Sequence, residues 1–281
     1  MLARQIATLL LPPIVPAFIA RLRPAERSYL GTHWPARANE KWDELSQAEV
    51  TRRNWPTVAE RVAGTGPLDM LPYRSGERDL AAHNMLMTFL YALARAARHT
   101  DRISLLDWGG GAGHYALVAR RMLPDVTLDV VVKELPGLCK VGRELNPDVS
   151  FVSSDEECFG RTYDFVLANG SVHYAEDWKM QVARLATATD RWLMINGLPS
   201  VRQVPGYVVT QRMRRAGFGG EFVSHVVNRH EFLEHVLAQK LVLVRELMAW
   251  GAVRYRGAPE DTTGAGFLFE RPSKAGVLSQ A

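Results

Sequence analysis

Three glycines in alternate positions follow an acidic residue at the end of a mostly apolar segment. Asp107 precedes Gly109, Gly111 and Gly113, and residues 103–106 before it are mostly apolar. Glycine has no Cβ atom, so the chain can turn tightly there and a ligand can approach the main chain. The D-x-G-x-G-x-G spacing therefore predicts a strand that ends in a nucleoside-binding turn.

A second acid, Glu134, follows the next apolar run and lies 21 residues after Gly113. A carboxylate at this position can accept two hydrogen bonds from the hydroxyls of a ribose, as in dinucleotide-binding folds. The alternative is an exposed glutamate that the helix dipole favours at a helix start. The carboxyl end of a strand is where open α/β sheets bind ligands, which favours the ribose role.

The dinucleotide fingerprint G-x-G-x-x-G fits these glycines less well. Counted from Gly109 its third glycine falls on His114, and counted from Gly111 it falls on Ala116, where alanine is tolerated. An NAD-dependent oxidoreductase and a non-catalytic nucleoside-binding protein therefore stay open as alternatives.

The elements that must position these residues alternate along the chain. Strands are predicted at 103–107, 128–133, 149–153, 163–168 and 191–196, with helices at 115–122, 135–144 and 179–188. Apolar strands that alternate with helices indicate a doubly wound α/β sheet buried on both faces. Later segments predict helices at 207–215 and 229–239 and strands at 241–247 and 266–270. No helix separates these last two strands, so they must be antiparallel.

The N-terminal region has a different pattern. Residues 24–77 are polar and show no strand pattern, and short helices are predicted at 40–53 and 56–63. The whole pattern predicts a Rossmann-like, seven-stranded, mostly parallel sheet with an antiparallel last strand. The chain is expected to divide into a helical cap (1–77), a ligand-binding domain (78–272) and a loose tail (273–281).

These motifs closely resemble the class I S-adenosylmethionine-dependent methyltransferases over roughly residues 78–270. The chain looks nearest to a bacterial family found with surface-polysaccharide and natural-product gene sets. The resemblance lies in residues 76–79, 105–113, 131–134 and 169–174. It implies S-adenosyl-L-methionine as the cofactor and methyl transfer as the reaction.

The resemblance also implies roles in cofactor binding. Asp107 would serve the methionine end of the cofactor or the glycine loop, and Leu135 would pack on the adenine. Asp155 would face the adenine amino group, although a simple Ser/Asp turn or helix cap is the alternative. Trp108 either walls the cofactor pocket or belongs to the core. Asn169 offers an amide within residues 163–174, which resemble the segment that runs beneath the methionine part and reaches the substrate.

The same segment supplies the candidate catalytic residue. His173 is the candidate general base, because an imidazole can take a proton near neutral pH. Its alternative role is structural, through a hydrogen bond to the backbone. Tyr174, Tyr73 and Arg74 are expected to contact the acceptor, although the cap aromatics may equally form the core of the cap.

The composition of the chain limits which partners and which compartment are expected. The 281 residues carry a net charge of +4 without a lysine/arginine run, so no nucleic-acid partner is expected. Two cysteines without a CxxC motif indicate a reducing cytoplasm, and no metal spacing is evident. The apolar segment 6–20 contains three prolines, which favours docking on the protein's own surface over weak membrane contact through residues 6–23. The expected function is O- or N-methylation of a small-molecule or glycosyl acceptor.

Overall fold

The computed structural model describes residues 26–36, 38, 44–72, 79–212 and 221–272. The strands in these ranges are β1 Arg27–Gly31, β2 Arg102–Trp108, β3 Thr127–Lys133, β4 Ser150–Val152, β5 Tyr163–Asn169, β6 Thr189–Val201, β7 Tyr207–Arg212, β8 Glu221–Asn228, β9 Val242–Val253 and β10 Thr262–Glu270. The helices are α1 Glu44–Ala63, α2 Leu80–Ala96, α3 His114–Met122, α4 Pro136–Leu145, α5 Asp155–Cys158, α6 Trp178–Thr187 and α7 Arg229–Leu237.

Seven of these strands form the central sheet, in the order β4-β3-β2-β5-β6-β10-β9. The first five are parallel, and β10 is antiparallel to both of its neighbours. The predictions of a Rossmann-like, mostly parallel α/β sheet and of an antiparallel pairing between the last two strands are confirmed.

Both faces of the central sheet are buried. Successive residues of a strand point to opposite faces, so Leu105 and Phe165 join one hydrophobic cluster while Leu106 and Val166 join the other. Helices α1 to α4 contribute to the first cluster and helices α5 to α7 to the second. This two-sided burial explains why the strands read as nearly continuous apolar runs.

Three further strands extend the sheet beyond the prediction of seven. Strand β6 continues to Ser200 and Val201, which pair with β8, and β7 and β1 follow in antiparallel order. We call β1, β7 and β8 the appended strands. The helix predicted at 207–215 is wrong, because Tyr207–Arg212 forms strand β7 against β8. The absence of strands from 24–77 is also wrong, because Arg27–Gly31 pairs with β7.

The two helices predicted at 40–53 and 56–63 are a single helix, α1, which continues through Pro56. Trp55, Val58 and Val62 are buried on both sides of this proline. Packing of this apolar face outweighs the one backbone hydrogen bond that proline removes. The division of the chain into 1–77, 78–272 and 273–281 stays a prediction, and residues 6–23 and 273–281 lie outside the described residues.

None of the helices in the described ranges has the length and apolarity needed to cross a membrane.

Candidate functional site

A cleft of about 1080 Å³ opens at the carboxyl ends of the parallel strands. It lies where the strand order reverses, with β3 on one side of β2 and β5 on the other. This is the position at which open α/β sheets bind ligands. Eight of the residues singled out in the sequence line it: Trp108, Gly109, Gly111, Glu134, Leu135, Asn169, His173 and Tyr174.

The motif glycines have different surroundings. A Cβ atom on Gly109 would overlap the side chain of Ser171, so this position needs glycine for packing. Gly111 has a φ of +59°, and a Cβ atom there would meet no described atom within 4 Å. Gly111 therefore presents bare backbone to the open space of the cleft, as the glycine spacing predicts.

Gly113 does not line the cleft. A Cβ atom at this residue would lie 3.0 Å from Nδ2 of Asn146 and 3.2 Å from Cζ of Phe151. Gly113 is also the residue that precedes helix α3. The structure thus places it where the loop packs on the domain, away from the space expected to hold the cofactor.

Glu134 joins the loops that follow β2 and β3. Its Oε2 accepts a hydrogen bond of 2.9 Å from the backbone N–H of Gly111, and its Oε1 accepts one of 2.8 Å from that of Leu135. Burial raises the pKa of Glu134, and the two backbone hydrogen bonds oppose this shift. Each carboxylate oxygen has a second lone pair, so the side chain can still accept hydrogen bonds from a ligand.

Asp107 lies beneath the glycine loop and does not reach the cleft surface. Its exposed fraction is 1%, and a Cβ atom on Gly110 would overlap its carboxyl group. Neither carboxyl oxygen has a hydrogen-bond partner among the described residues. Burial, with a smaller contribution from the negative charge of Glu134, raises the pKa of Asp107 to about 8. A buried polar group of this kind indicates a missing partner.

Asp155 does not line the cleft. Its carboxylate accepts a 2.8 Å hydrogen bond from Arg184 and a 3.4 Å one from Nε1 of Trp108, and it lies 3.4 Å from Nζ of Lys133. Ser154 caps the helix α5 that Asp155 begins. This placement fits the turn-and-cap alternative, and the contact with adenine stays a prediction. The same contacts fix Trp108, which both lines the cleft and belongs to the core.

Asn169 ends strand β5 at the far side of the glycine loop. Its Nδ2 donates a short hydrogen bond to the hydroxyl of Tyr115 and lies 3.7 Å from Sδ of Met85. Its Oδ1 is buried and has no partner among the described residues. Asn169 thus lines the cleft while its amide oxygen is left without a hydrogen bond from the described residues.

His173 lies in the short turn Val172–Tyr174 that follows β5. Its ring is buried, and its Nδ1 has no hydrogen-bond partner among the described residues. Burial, with a smaller effect of His225, lowers the pKa of His173 to about 3. The imidazole is therefore neutral near physiological pH and can accept a hydrogen bond, but it is a weak base. Its role as general base stays a prediction.

The remaining predicted substrate contacts divide into two groups. Tyr174 lines the cleft, and its hydroxyl accepts a 2.8 Å hydrogen bond from Nε2 of Gln211. Tyr73 and Arg74 lie outside the described residues.

Several residues that line the cleft were not predicted from the sequence. Met85, Gln211, Phe222 and Trp250 all line the side of the cleft away from the glycine loop. Strands β7 and β8, which carry two of them, lack the alternation that marks a half-buried strand, because their buried positions are consecutive. Trp250 lies three residues beyond the strand predicted at 241–247.

Within the described ranges there is no group of three or more His, Cys, Asp or Glu side chains that could hold a metal ion.

Neither protein-family models nor curated protein sequences give a match to this chain. Solved structures do. A proposed S-adenosylmethionine-dependent methyltransferase from Listeria monocytogenes is 9% identical, with a TM-score of 0.50 over 68% of this chain and 100% of that chain. The [4+2]-cyclase SpnF is 15% identical over 86% of this chain and 99% of that chain, with a TM-score of 0.48. The glycopeptide N-methyltransferase MtfA, solved with S-adenosylmethionine, is 12% identical over 66% of this chain and 87% of that chain, with a TM-score of 0.43.

The Listeria match concerns the fold. In the present chain, strand β10 is antiparallel to its neighbours. Its sheet therefore differs from the six-stranded parallel order of dinucleotide-binding domains, and this topology does not favour the NAD alternative. The chain shares the Rossmann-like fold of the Listeria methyltransferase structure.

Proposed function

We propose that the protein transfers a methyl group from S-adenosylmethionine to an oxygen or nitrogen of a small-molecule or glycosyl acceptor. The observation that carries the proposal is the pairing of Glu134 with the backbone of Gly111 beside open cleft space. The shared fold and the sequence resemblance support the same assignment. We further propose, from the cysteine usage, that the enzyme works in the cytoplasm.

The residues present fit the cofactor. The backbone of Gly111 borders open space, and Glu134 retains lone pairs that can accept hydrogen bonds from ribose hydroxyls. Trp108 and Leu135 offer apolar surface for an adenine. These residues would therefore hold the adenosyl part of the donor.

When bound, S-adenosylmethionine supplies a methyl group activated by its sulfonium. The chain's part is to orient the acceptor and to exclude water from it. Asn169 and His173 line the cleft and can hydrogen-bond to a hydroxyl or amine of the methyl acceptor. His173 is neutral and can accept such a hydrogen bond, but its low pKa makes it a weak base for taking the proton.

Calorimetric titration with S-adenosylhomocysteine and with NAD tests the proposal. We expect the wild-type protein to bind S-adenosylhomocysteine and not NAD. Gly111→Val places a side chain in the ligand space and should abolish this binding. Gly31→Val is the matched control, because Gly31 also has a positive φ (+111°) with no described atom near its Cβ position but lies outside the cleft.

Binding of NAD alone, or equal binding by the two glycine variants, would overturn the assignment. Tight binding of S-adenosylhomocysteine without turnover of any acceptor would instead indicate a non-catalytic nucleoside-binding protein.

A further inference from the structure

The cleft continues well beyond the glycine loop. Ligand pockets commonly have volumes of roughly 300–1,000 Å³, and this cleft slightly exceeds that range at about 1080 Å³. Its far half is bounded by Met85, Phe222 and Trp250, which come from α2, the appended strands and β9. The cleft therefore has room for an acceptor beside the donor, against a largely apolar wall.

Trp250 is the most firmly fixed part of this wall. It pairs in register with Gly264 of the neighbouring strand, and a Cβ atom on Gly264 would overlap the ring atoms Cδ2, Cε2 and Cε3 of the indole. One face of the indole thus lies flat on the backbone of β10. A Cβ atom on Gly197 would lie 3.3 Å from Cζ3 of the indole, and the ring also packs against the cluster that contains Leu71 and Met85.

Glycine at both neighbouring positions is what lets the ring lie there. The indole is therefore held in place before any ligand binds, and its partly exposed surface lines the cleft. A rigid aromatic surface binds other rings well, since it loses little conformational entropy on binding.

The polar residues of this half of the cleft indicate which group a bound ligand should have. Asn169 and His173 line the cleft, and Oδ1 of Asn169 and Nδ1 of His173 are buried without hydrogen-bond partners among the described residues. A buried polar atom left unpaired costs free energy, so a ligand that supplies a hydrogen bond there is favoured over one that does not. A hydroxyl group meets this requirement, since it can both donate and accept.

We propose, on the basis of the function proposed above, that the methyl acceptor is a hydroxylated ring compound. Its ring packs on the indole of Trp250, and its hydroxyl donates a hydrogen bond to Asn169 or His173. An aromatic ring and the C–H face of a sugar both present the flat apolar surface that an indole binds. Trp250 is thus the residue that selects ring-shaped acceptors over open-chain alcohols.

The test uses three probes in the presence of saturating S-adenosylhomocysteine: naphthol, methyl rhamnoside and hexanol. Calorimetry measures their dissociation constants for the wild type and for Trp250→Ala, Trp250→Phe and Met248→Ala. Met248 lies on the same strand and is 82% exposed outside the cleft, so it is the matched control. The release of S-adenosylhomocysteine from S-adenosylmethionine gives KM and kcat for any probe that is methylated.

We expect at least one ring probe to bind the wild type more tightly than hexanol, and its identity distinguishes aromatic from sugar acceptors. Trp250→Ala should weaken that binding about tenfold, the equivalent of ~1.4 kcal/mol. It should raise KM more than it lowers kcat. Trp250→Phe should restore most of the affinity, and Met248→Ala should leave it unchanged.

The inference fails if neither ring probe binds better than hexanol, or if Trp250→Ala leaves the ring preference intact. It also fails if Trp250→Ala weakens S-adenosylhomocysteine binding as much as probe binding, since the ring would then be structural. Failure of the proposed function is a separate result, namely a wild-type protein that does not bind S-adenosylhomocysteine.

Discussion

Nε2 of Gln211 donates a 2.8 Å hydrogen bond to the hydroxyl of Tyr174, and so links strand β7 to the turn that contains His173. The appended strands therefore help to position His173 and Tyr174 in the cleft. This link joins two segments that are 37 residues apart in the sequence.

Loss of this link should affect turnover more than cofactor binding. Gln211→Ala removes one neutral hydrogen bond, which is worth about 0.5–1.5 kcal/mol. We expect kcat/KM for the acceptor to fall several-fold, while the affinity for S-adenosylhomocysteine stays within experimental error. Gln239→Ala, at the end of α7 and outside the cleft, is the control. An unchanged kcat/KM in Gln211→Ala would contradict a positioning role for β7.

Glu134→Gln tests the link between the loops that follow β2 and β3. Gly111 and Leu135 bind different oxygens of Glu134, and the amide replaces one of these oxygens with an NH2 group that cannot accept a hydrogen bond. Because charge-assisted hydrogen bonds are worth about 1.5–3 kcal/mol, the affinity for S-adenosylhomocysteine should fall by at least tenfold. Glu144→Gln, which removes a surface charge paired with Arg52 at 2.7 Å, should leave the affinity unchanged. Equal affinities for the two variants in calorimetry would rule out the ribose role.

Asp107 should make the stability of the ligand-free protein fall as the pH rises. Its pKa is raised from 3.8 to about 8 in the folded protein, so the folded state binds the proton more tightly than the unfolded state. The contribution of this group to stability is complete below 3.8 and is lost as the pH rises to about 8.

Asp107→Asn removes this titration. As the pH rises through that interval, the free energy of unfolding of the wild type should fall relative to that of Asp107→Asn by up to about 1.4 kcal/mol per pH unit. Urea unfolding at several pH values measures it. The depressed pKa values of His114 and His173 act in the opposite direction, with stability lost as the pH falls below 6.5, and they cancel in the comparison. A difference that does not change with pH would show that Asp107 is ionised in the folded state.

Pro56→Ala should stabilise the protein. Pro56 is exposed within α1, and alanine restores an N–H group that can donate to the carbonyl of Arg52 one turn earlier. Since proline is unfavourable by about 3 kcal/mol in a helix interior, and native packing already accommodates it here, we expect a gain of about 1 kcal/mol. Thermal unfolding measures this gain. A lower melting temperature would show that the helix needs the bend at this residue.

Much of the central sheet could be predicted from the sequence because its signals are local. The alternation of apolar runs and helical patterns gave the parallel strands, and the glycines after Asp107 gave the position of the cleft. Glu134 was identified in the same way, since the carboxyl ends of neighbouring parallel strands meet at one edge of the sheet.

The appended strands could not be predicted because their pairing is non-local. Strand β1 is only five residues long, and it is held by β7, which lies about 180 positions later in the chain. The contacts of Asp155 could not be predicted for a similar reason, because Arg184 and Lys133, which bind its carboxylate, come from other elements. The position of the Trp250 ring depends on Gly264, and the two residues are brought together only by the pairing of β9 with β10.

Strand β6 belongs to both parts of the sheet, pairing with β5 over its first residues and with β8 at Ser200 and Val201. The appended strands therefore extend from the end of a strand whose beginning belongs to the parallel part of the sheet. Changes in their length or side chains would reshape the far wall of the cleft while leaving the register of β2, β3 and β5 intact. Under the proposed function, the acceptor could therefore change during evolution without rebuilding the donor site.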